Sequence, residues 1–265
     1  MTSTSRRTTL IRRGTAASMA LLVVFLAAWQ LGPNLLGIPH FIVPPASMVF
    51  REFLRMLSVD HLMLHTGVTA AEVVAGFVSG SLLGATFGYL LGMSPLAEFA
   101  LSPYILALQI APKVAFAPLF ILWMGYTVYP KILVATLIVF FPVMVNVLTA
   151  IRTIDPDLIN LARSFTASRT QIFWKIEFPS SMPPLFASLR IGATLAVVGV
   201  VVGELVGGNS GLGYLLTFGE GQANTPMVFV CILLLTVIGG VAYLAVILLE
   251  QHVLHYLPPR PLGGP

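Results

Sequence analysis

NLARSFTASRTQIFWKIEFPSSMP, Asn160 to Pro183, puts Arg163, Arg169, Lys175 and several hydroxyls between two long apolar runs. The stretch carries its own helix punctuation. Asp155 is placed to cap a helix that opens with Pro156 and has Asp157 in its first turn. Leu158, Leu161, Ala162 and Phe165 then repeat at i, i+3, i+4 and i+7, which makes one apolar stripe. A second start follows, because Ser168 and Gln171 have capping-box spacing and Ile172, Phe173 and Ile176 supply another apolar face. Pro179 is expected to halt that second helix. The segment reads as a folded helix-turn-helix, and its turn offers Arg163, Ser164, Thr166, Ser168 and Arg169 as a polar knob suited to a protein groove. Two amphipathic helices lying on a lipid surface are the other reading of the pattern.

The flanking runs set the class of protein. Of 265 residues, 57% are hydrophobic and 9% charged, against roughly 25% charged in an ordinary soluble domain. Several stretches reach the roughly 20 apolar residues that cross a bilayer, and they are continuous instead of alternating. The chain is therefore expected to be an all-α polytopic membrane protein with six transmembrane helices, over 16–32, 69–93, 103–125, 131–151, 185–208 and 226–249. Residues 1–15 form an N-terminal tail, 16–250 the membrane domain with a loop at 152–184, and 251–265 a C-terminal tail. The N-terminal apolar run could be a cleaved secretory signal, but it continues past Trp29 without a small-residue cleavage site, which favours a retained signal anchor.

Orientation follows from the basic residues. With the N-terminus inside, Arg6, Arg7, Arg12, Arg13, Arg152, Arg163, Arg169, Lys175, Arg190 and Arg260 fall on or beside cytoplasmic segments. Arg51, Arg55 and Lys131 fall outside, so both termini are expected in the cytoplasm. In the first outer loop, Met48, Val49, Phe53, Leu54 and Leu57 recur at helical spacing and predict a short interfacial helix. His61 and His65 lie four apart, without the further ligands a metal site needs. The single cysteine, Cys231, excludes a disulfide framework. The +4 charge is dispersed, so no nucleic-acid partner is expected.

Catalytic chemistry has little to stand on. None of the three lysines follows a glycine, so no phosphate loop is present, and no triad, carboxylate pair or metal cluster gathers at one span end. Two ionisable groups are read within spans, Lys113 beside the helix-breaking Pro112 and Pro118, and Glu204 before the glycine-rich GNSGLGY. Lys113 either lines a path or satisfies carbonyls at the break. Glu204 lines the same path or caps the outer loop. Lys113 sits about eight residues deeper, roughly 12 Å at 1.5 Å per residue, so direct pairing needs a kink or a neighbouring subunit. Arg190 reads as an interfacial anchor.

The opening stretch resembles the cytoplasmic EAA loop of binding-protein-dependent ABC importer permeases. Asn160, Leu161 and Ala162 stand at its Glu-Ala-Ala positions, Thr166 at its Gly, and Ile176, Phe178 and Pro179 at its close. Asn for Glu, Leu for the first Ala and Thr for Gly are departures. The resemblance extends over IVPPAS, APKVAFAPLFILWMGY, LRIGATLAVVGVVVGELVG and NSGLGYL, which look like the branch importing nitrate, sulfonates, taurine or bicarbonate. It implies an ABC importer permease (MetI-like) fold in the bacterial plasma (inner) membrane. Asn160, Ala162, Arg163, Ser164, Phe165, Thr166, Ala167, Ser168 and Arg169 would then contact an ABC ATP-binding subunit. The implied partners are that subunit, an extracytoplasmic solute-binding protein, a second copy of the chain and membrane lipids. ATP and magnesium would sit on the partner subunit, and this chain would hold no cofactor. The implied solute is a small anion such as a sulfonate, nitrate or taurine, while APKVAFAPLF and VGELVG lie closer to relatives handling pyrimidine vitamin precursors or other heterocycles. An ion-coupled secondary transporter would instead show inverted repeats and matched intramembrane acids, and neither is seen. A membrane scaffold without transport would lack the proline-broken path around Lys113.

Overall fold

The computed structural model describes residues 3–255, with side chains from Ala17 onward. Arg260 and the rest of 256–265 lie outside the described residues, as do the side chains of Arg6, Arg7, Arg12 and Arg13. Among the described residues every regular element is helical. Five helices are long and apolar enough to cross a membrane, and the pair Pro95–Ile110 and Lys113–Met124, bent by 81°, makes six when counted as one span.

The chain divides into two units. One comprises residues up to 63 together with 215–233. Its first helix, α1 (Ser3–Leu35), runs into a loop and then α2 (Ala46–Ser58), where the sequence predicts a short helix. Pro45 cannot cap α2 with a side chain, and Gln30 of α1 does so instead. Its Oε1 accepts from the Ser47 N–H at 2.9 Å and its Nε2 donates to Ser47 Oγ at 3.1 Å. On α2, Val49 and Met56 are buried while Phe50 and Leu54 are exposed. Arg55 donates to Glu52 and Asp60, and Glu52 also accepts from Asn224 Nδ2 at 2.7 Å. The Arg55 guanidinium holds the Glu52 carboxyl below the usual carboxylate range.

The other unit comprises 64–214 and 234–255 of the described residues. It contains most of α3 (Leu62–Gly92), then α4 (Pro95–Ile110), a 3-10 turn (Lys113–Phe116), α5 (Ala117–Met124) and α6 (Tyr129–Arg152). After α7 (Pro156–Ser164), the short α8 (Arg169–Ile172) continues through a π-turn (Phe173–Glu177) into α9 (Phe178–Gly207). The chain closes with α10 (Leu212–Gly221) and α11 (Thr225–Val253), each shared between the two units.

Helix α6 is the centre of this unit because both its neighbours meet it with glycine. On α3, Gly76, Gly80, Gly84, Gly88 and Gly92 recur every fourth residue, and a Cβ on any of them would come within 2.5–2.9 Å of α6 atoms. Opposite these gaps stand Ala135, Val139, Val143, Val147 and Ile151, also four apart. On α9, a Cβ at Gly199 would lie 2.5 Å from the Ala135 Cα and one at Gly203 would lie 2.8 Å from the Lys131 Cα. Small residues let backbones approach closely, which is how helices gain packing in a solvent as apolar as their own side chains. Val73, Ala135, Val139, Val143, Val147, Ala196 and Val200 form the buried core of the seam.

Three expectations are revised. Span three begins at Pro95, earlier than read, and breaks between Ile110 and Lys113. Pro118 does not break it, since Pro118 sits in the first turn of α5, where its missing N–H costs nothing. Span two starts at Leu62. Pro179 does not halt the second helix of the loop, and α8 runs on to Gly207 as one helical segment. There the Phe178 N–H reaches back five residues to the Phe173 carbonyl. This wider π-turn absorbs the donor that Pro179 lacks.

Candidate functional site

The loop 152–184 is built from two helix ends placed back to back. Asp155 Oδ1 accepts from the Asp157 N–H at 2.9 Å and starts α7. At the other end of α7, the Thr166 N–H bonds the Arg163 carbonyl at 2.9 Å and the Ala167 N–H bonds the Ala162 carbonyl at 3.1 Å. That pair of bonds is a Schellman closure, which demands a left-handed residue at its pivot. Thr166 is the pivot, with φ 59°. One residue later the capping box of α8 closes, with Ser168 N–H to Gln171 Oε1 at 2.8 Å and Gln171 N–H to Ser168 Oγ at 3.2 Å.

Asn160, Arg163, Ser164, Phe165, Thr166, Ser168 and Arg169 are exposed, while Ala162 and Ala167 are half-buried beneath them. Phe165 is 77% exposed, an apolar ring at the tip of a polar turn. The turn is anchored on both sides. Arg152, at the end of α6, is ion-paired with Glu98 in the first turn of α4. Beyond α8, Phe173 and Phe178 pack around Tyr89 of α3 with ring centroids 5.7 and 5.9 Å away, and the Tyr89 hydroxyl shares a hydrogen bond with Ser181. Sequence reading missed this aromatic clasp, because nothing local joins Tyr89 to residues some ninety positions on.

Lys113 lies at the break in span three. Its Nζ donates to the Gln109 carbonyl and, at 3.4 Å, to the Ala111 carbonyl, and it stands 5.0 Å from the centroid of the Phe141 ring on α6. The end of α4 leaves carbonyls without helical donors, and an ammonium at a helix C-terminus also meets the favourable end of the dipole. Half-buried, Lys113 satisfies the break while keeping part of its surface open.

Glu204 is 1% exposed and is not paired with Lys113. Its Oε1 accepts from the Thr69 hydroxyl at 2.7 Å and its Oε2 from the Gly213 N–H at 2.6 Å. Thr69 Oγ1 in turn accepts from the Leu212 N–H at 2.8 Å, and His65 Nδ1 accepts from the Gly211 N–H at 3.0 Å. Glu204 thus helps to hold the start of α10 against α3. Gly211, at φ 105°, is obligatory there, since a Cβ would overlap the Glu204 carboxylate.

Two residues of this network escaped the sequence reading. Lys131, read as outside, is 1% exposed and donates to Glu72 Oε1 at 3.0 Å and to the Ser210 carbonyl at 3.3 Å. Glu72 was not singled out, although a carboxylate inside an apolar run is itself the signal. Arg190, read as an interfacial anchor, donates to Glu250 of α11 at 2.8 Å. His61 and His65 take no part in a metal cluster, and none occurs among the described residues.

Residues 80–255 match the family described as binding-protein-dependent transport system inner membrane component. The chain is 38% identical to the riboflavin transport system permease protein of Chloroflexus aurantiacus, over 90% of its own length and 88% of that protein's. It is 31% identical to the formylaminopyrimidine transport permease protein of Halalkalibacterium halodurans, over 88% and 92% of the two chains. A putative aliphatic sulfonates transport permease protein of Bacillus subtilis is also 31% identical, over 92% and 89%. A chain of the MetNI methionine ABC transporter superposes with a TM-score of 0.61 over 72% of this chain and 95% of that one. At 20% identity this is a likeness of fold.

Proposed function

Because the chain belongs to the family of binding-protein-dependent transport system inner membrane components and is an ABC importer permease, we propose that the turn Asn160–Arg169 is the coupling element that docks in a separate ATP-hydrolysing subunit. The observation that carries this reading is the construction of the turn. Two capped helix ends present Arg163, Phe165 and Arg169 outward, and the same turn is continuous with α9 and anchored to the end of α6. A push on it moves both spans together.

In this reading two copies of the chain assemble with two ATPase subunits inside and a solute-binding protein outside. ATP closes the ATPase pair, the coupling turns move, the path opens outward to receive solute, and hydrolysis resets it. Residues 1–15 and 251–265 are cytoplasmic tails, 16–250 the permease domain and 152–184 the coupling loop. ATP and magnesium belong to the partner, and this chain contributes the path. Lys113, an ammonium at a helix break with part of its surface open, gives that path positive potential, which suits a small anion such as a sulfonate, nitrate or taurine. A heterocycle of the riboflavin or pyrimidine kind is the second reading, favoured by the 38% identity to the riboflavin permease. Glu204 serves the path by holding its outer rim.

The test uses the complete transporter in vesicles with its binding protein. Uptake of alkanesulfonate and taurine is compared with that of riboflavin and formylaminopyrimidine. Arg163→Glu with Arg169→Glu should lose the ATPase subunit on co-purification, since like charge in a docking groove costs several kcal/mol. Undiminished recovery and uptake would remove the coupling assignment. Lys113→Met should fold and lower anion uptake, and wild-type uptake and ATPase rate in that variant would leave Lys113 as a cap on α4 alone.

A further inference from the structure

Glu72, Lys131 and Glu204 are 3%, 1% and 1% exposed, so two carboxylates and one ammonium share a buried site among α3, α6 and α9. Lys131 Nζ serves Glu72 Oε1 and the Ser210 carbonyl. The Thr69 hydroxyl and the Gly213 N–H serve the two oxygens of Glu204. The Leu212 and Gly211 N–H groups serve Thr69 and His65. One acceptor is left over, because Glu72 Oε2 is fully buried with no hydrogen-bond donor. Glu204 stands beside it: Thr69, one turn before Glu72 on α3, donates to Glu204 Oε1, and Lys131, the partner of Glu72, packs against Gly203, the residue before Glu204.

As two bare carboxylates the pair would set oxygen lone pairs against each other and leave one negative charge without a counter-ion. Both conditions are strongly disfavoured in a dry interior. His65 Nδ1 accepts from the Gly211 N–H, and the Tyr214 ring stacks on the His65 ring at 5.7 Å. Glu52, Glu98 and Glu250 each have an arginine of their own.

We propose that Glu72 and Glu204 share one bound proton, an O–H of one carboxyl donating to an oxygen of the other, and that this proton makes the three-charge site neutral. The proton comes from a buffer acid of the medium as the site assembles, and no other bond is made or broken. The site is therefore a proton-binding site that joins α3 to α9, complementary to the Lys131 ammonium that joins α3 to α6. It fixes Glu204 as the acceptor for α10.

A shared proton has a signature that an ordinary buried acid lacks, since removing either carboxyl removes it. In Glu72→Gln the remaining Glu204 carboxylate balances Lys131, and in Glu204→Gln the Glu72 carboxylate does. Infrared spectra of the purified transporter at neutral pH should show the carbonyl stretch of a protonated carboxyl in the wild type, shifted by deuterium oxide. That band should be lost in both single variants. Its absence from the wild type, or its survival in one single variant, would overturn the proposal. Isotopic labelling of glutamate in the wild type must move the band, a result that stands even where a variant does not fold. Uptake gives a second reading. Glu72→Gln keeps the Glu204 carboxylate opposite Lys131 and should retain most of its transport, while the double Gln variant, with Lys131 unbalanced, should fall by about tenfold or more. A double variant as active as Glu72→Gln would also count against a shared proton.

Discussion

Thr166 occupies a backbone conformation that a β-branched residue rarely adopts, with φ 59° at the pivot of the loop's Schellman closure. Non-glycine residues held there cost about 1 kcal/mol or more. Thr166→Gly should therefore raise the melting temperature of the purified protein, and Thr166→Val should not. The comparison is thermal unfolding in one detergent, and an unchanged or lowered melting temperature for the glycine variant would mean that the threonine makes compensating contacts. The position of the pivot was legible in the sequence, because it is set by short-range signals: Asp155 and Pro156 on one side, Ser168 and Gln171 on the other. What the sequence leaves out is that Thr adopts the glycine-like angle instead of altering the turn. The two backbone bonds from Thr166 and Ala167 satisfy the end of α7 only in that geometry.

On α3, glycines have opposite meanings according to what faces them. A Cβ at Gly84 would stand 2.6 Å from the Phe140 carbonyl of α6, a backbone atom that cannot step aside, whereas Gly67 has nothing within 4 Å. Gly84→Ala should destabilise by about 1–3 kcal/mol through overpacking. Gly67→Ala, in the same helix, should be neutral or stabilise by up to about 1 kcal/mol through helix propensity. Thermal unfolding of the two variants side by side checks the sign, and equal effects would mean that the seam yields. The fourfold glycine spacing is plain in GFVSGSLLGATFGYLLG, yet the helix it faces is not written beside it. Neither is the partner of Glu72, which lies 59 residues on, nor that of Thr69, which lies 135 residues on. Caps, breaks and apolar lengths are local and readable. Tyr89 against Phe173, Lys131 against Glu72 and Arg190 against Glu250 are decided by which helices come together, and the sequence marks such residues only as charges or rings awaiting a partner.

Across the molecule, the basic residues predict opposite sides of the membrane for the coupling turn and the glycine-rich loop before α10. Single cysteines at Ser168 and Asn209, both exposed, in a Cys231→Ser background should be labelled by a membrane-impermeant maleimide from opposite sides of oriented vesicles. Labelling of both from one side would overturn the six-span arrangement. The buried charges that tie these spans together also impose a schedule on synthesis. Glu72 leaves the ribosome 59 residues ahead of Lys131, a wait of roughly 3–12 s at about 5–20 residues per second. During that interval α3 carries a lone carboxylate, which is costly in lipid. Once α6 has delivered the ammonium, α3 and α6 can pair without net charge, glycine against valine, with span three between them in the chain. Glu204 arrives last, when a matched pair is complete, and in the proposed site its charge is cancelled by the proton taken up from the medium. Translation order and charge order therefore run in step, and a chain cut short before α9 would already hold its first two buried charges in balance.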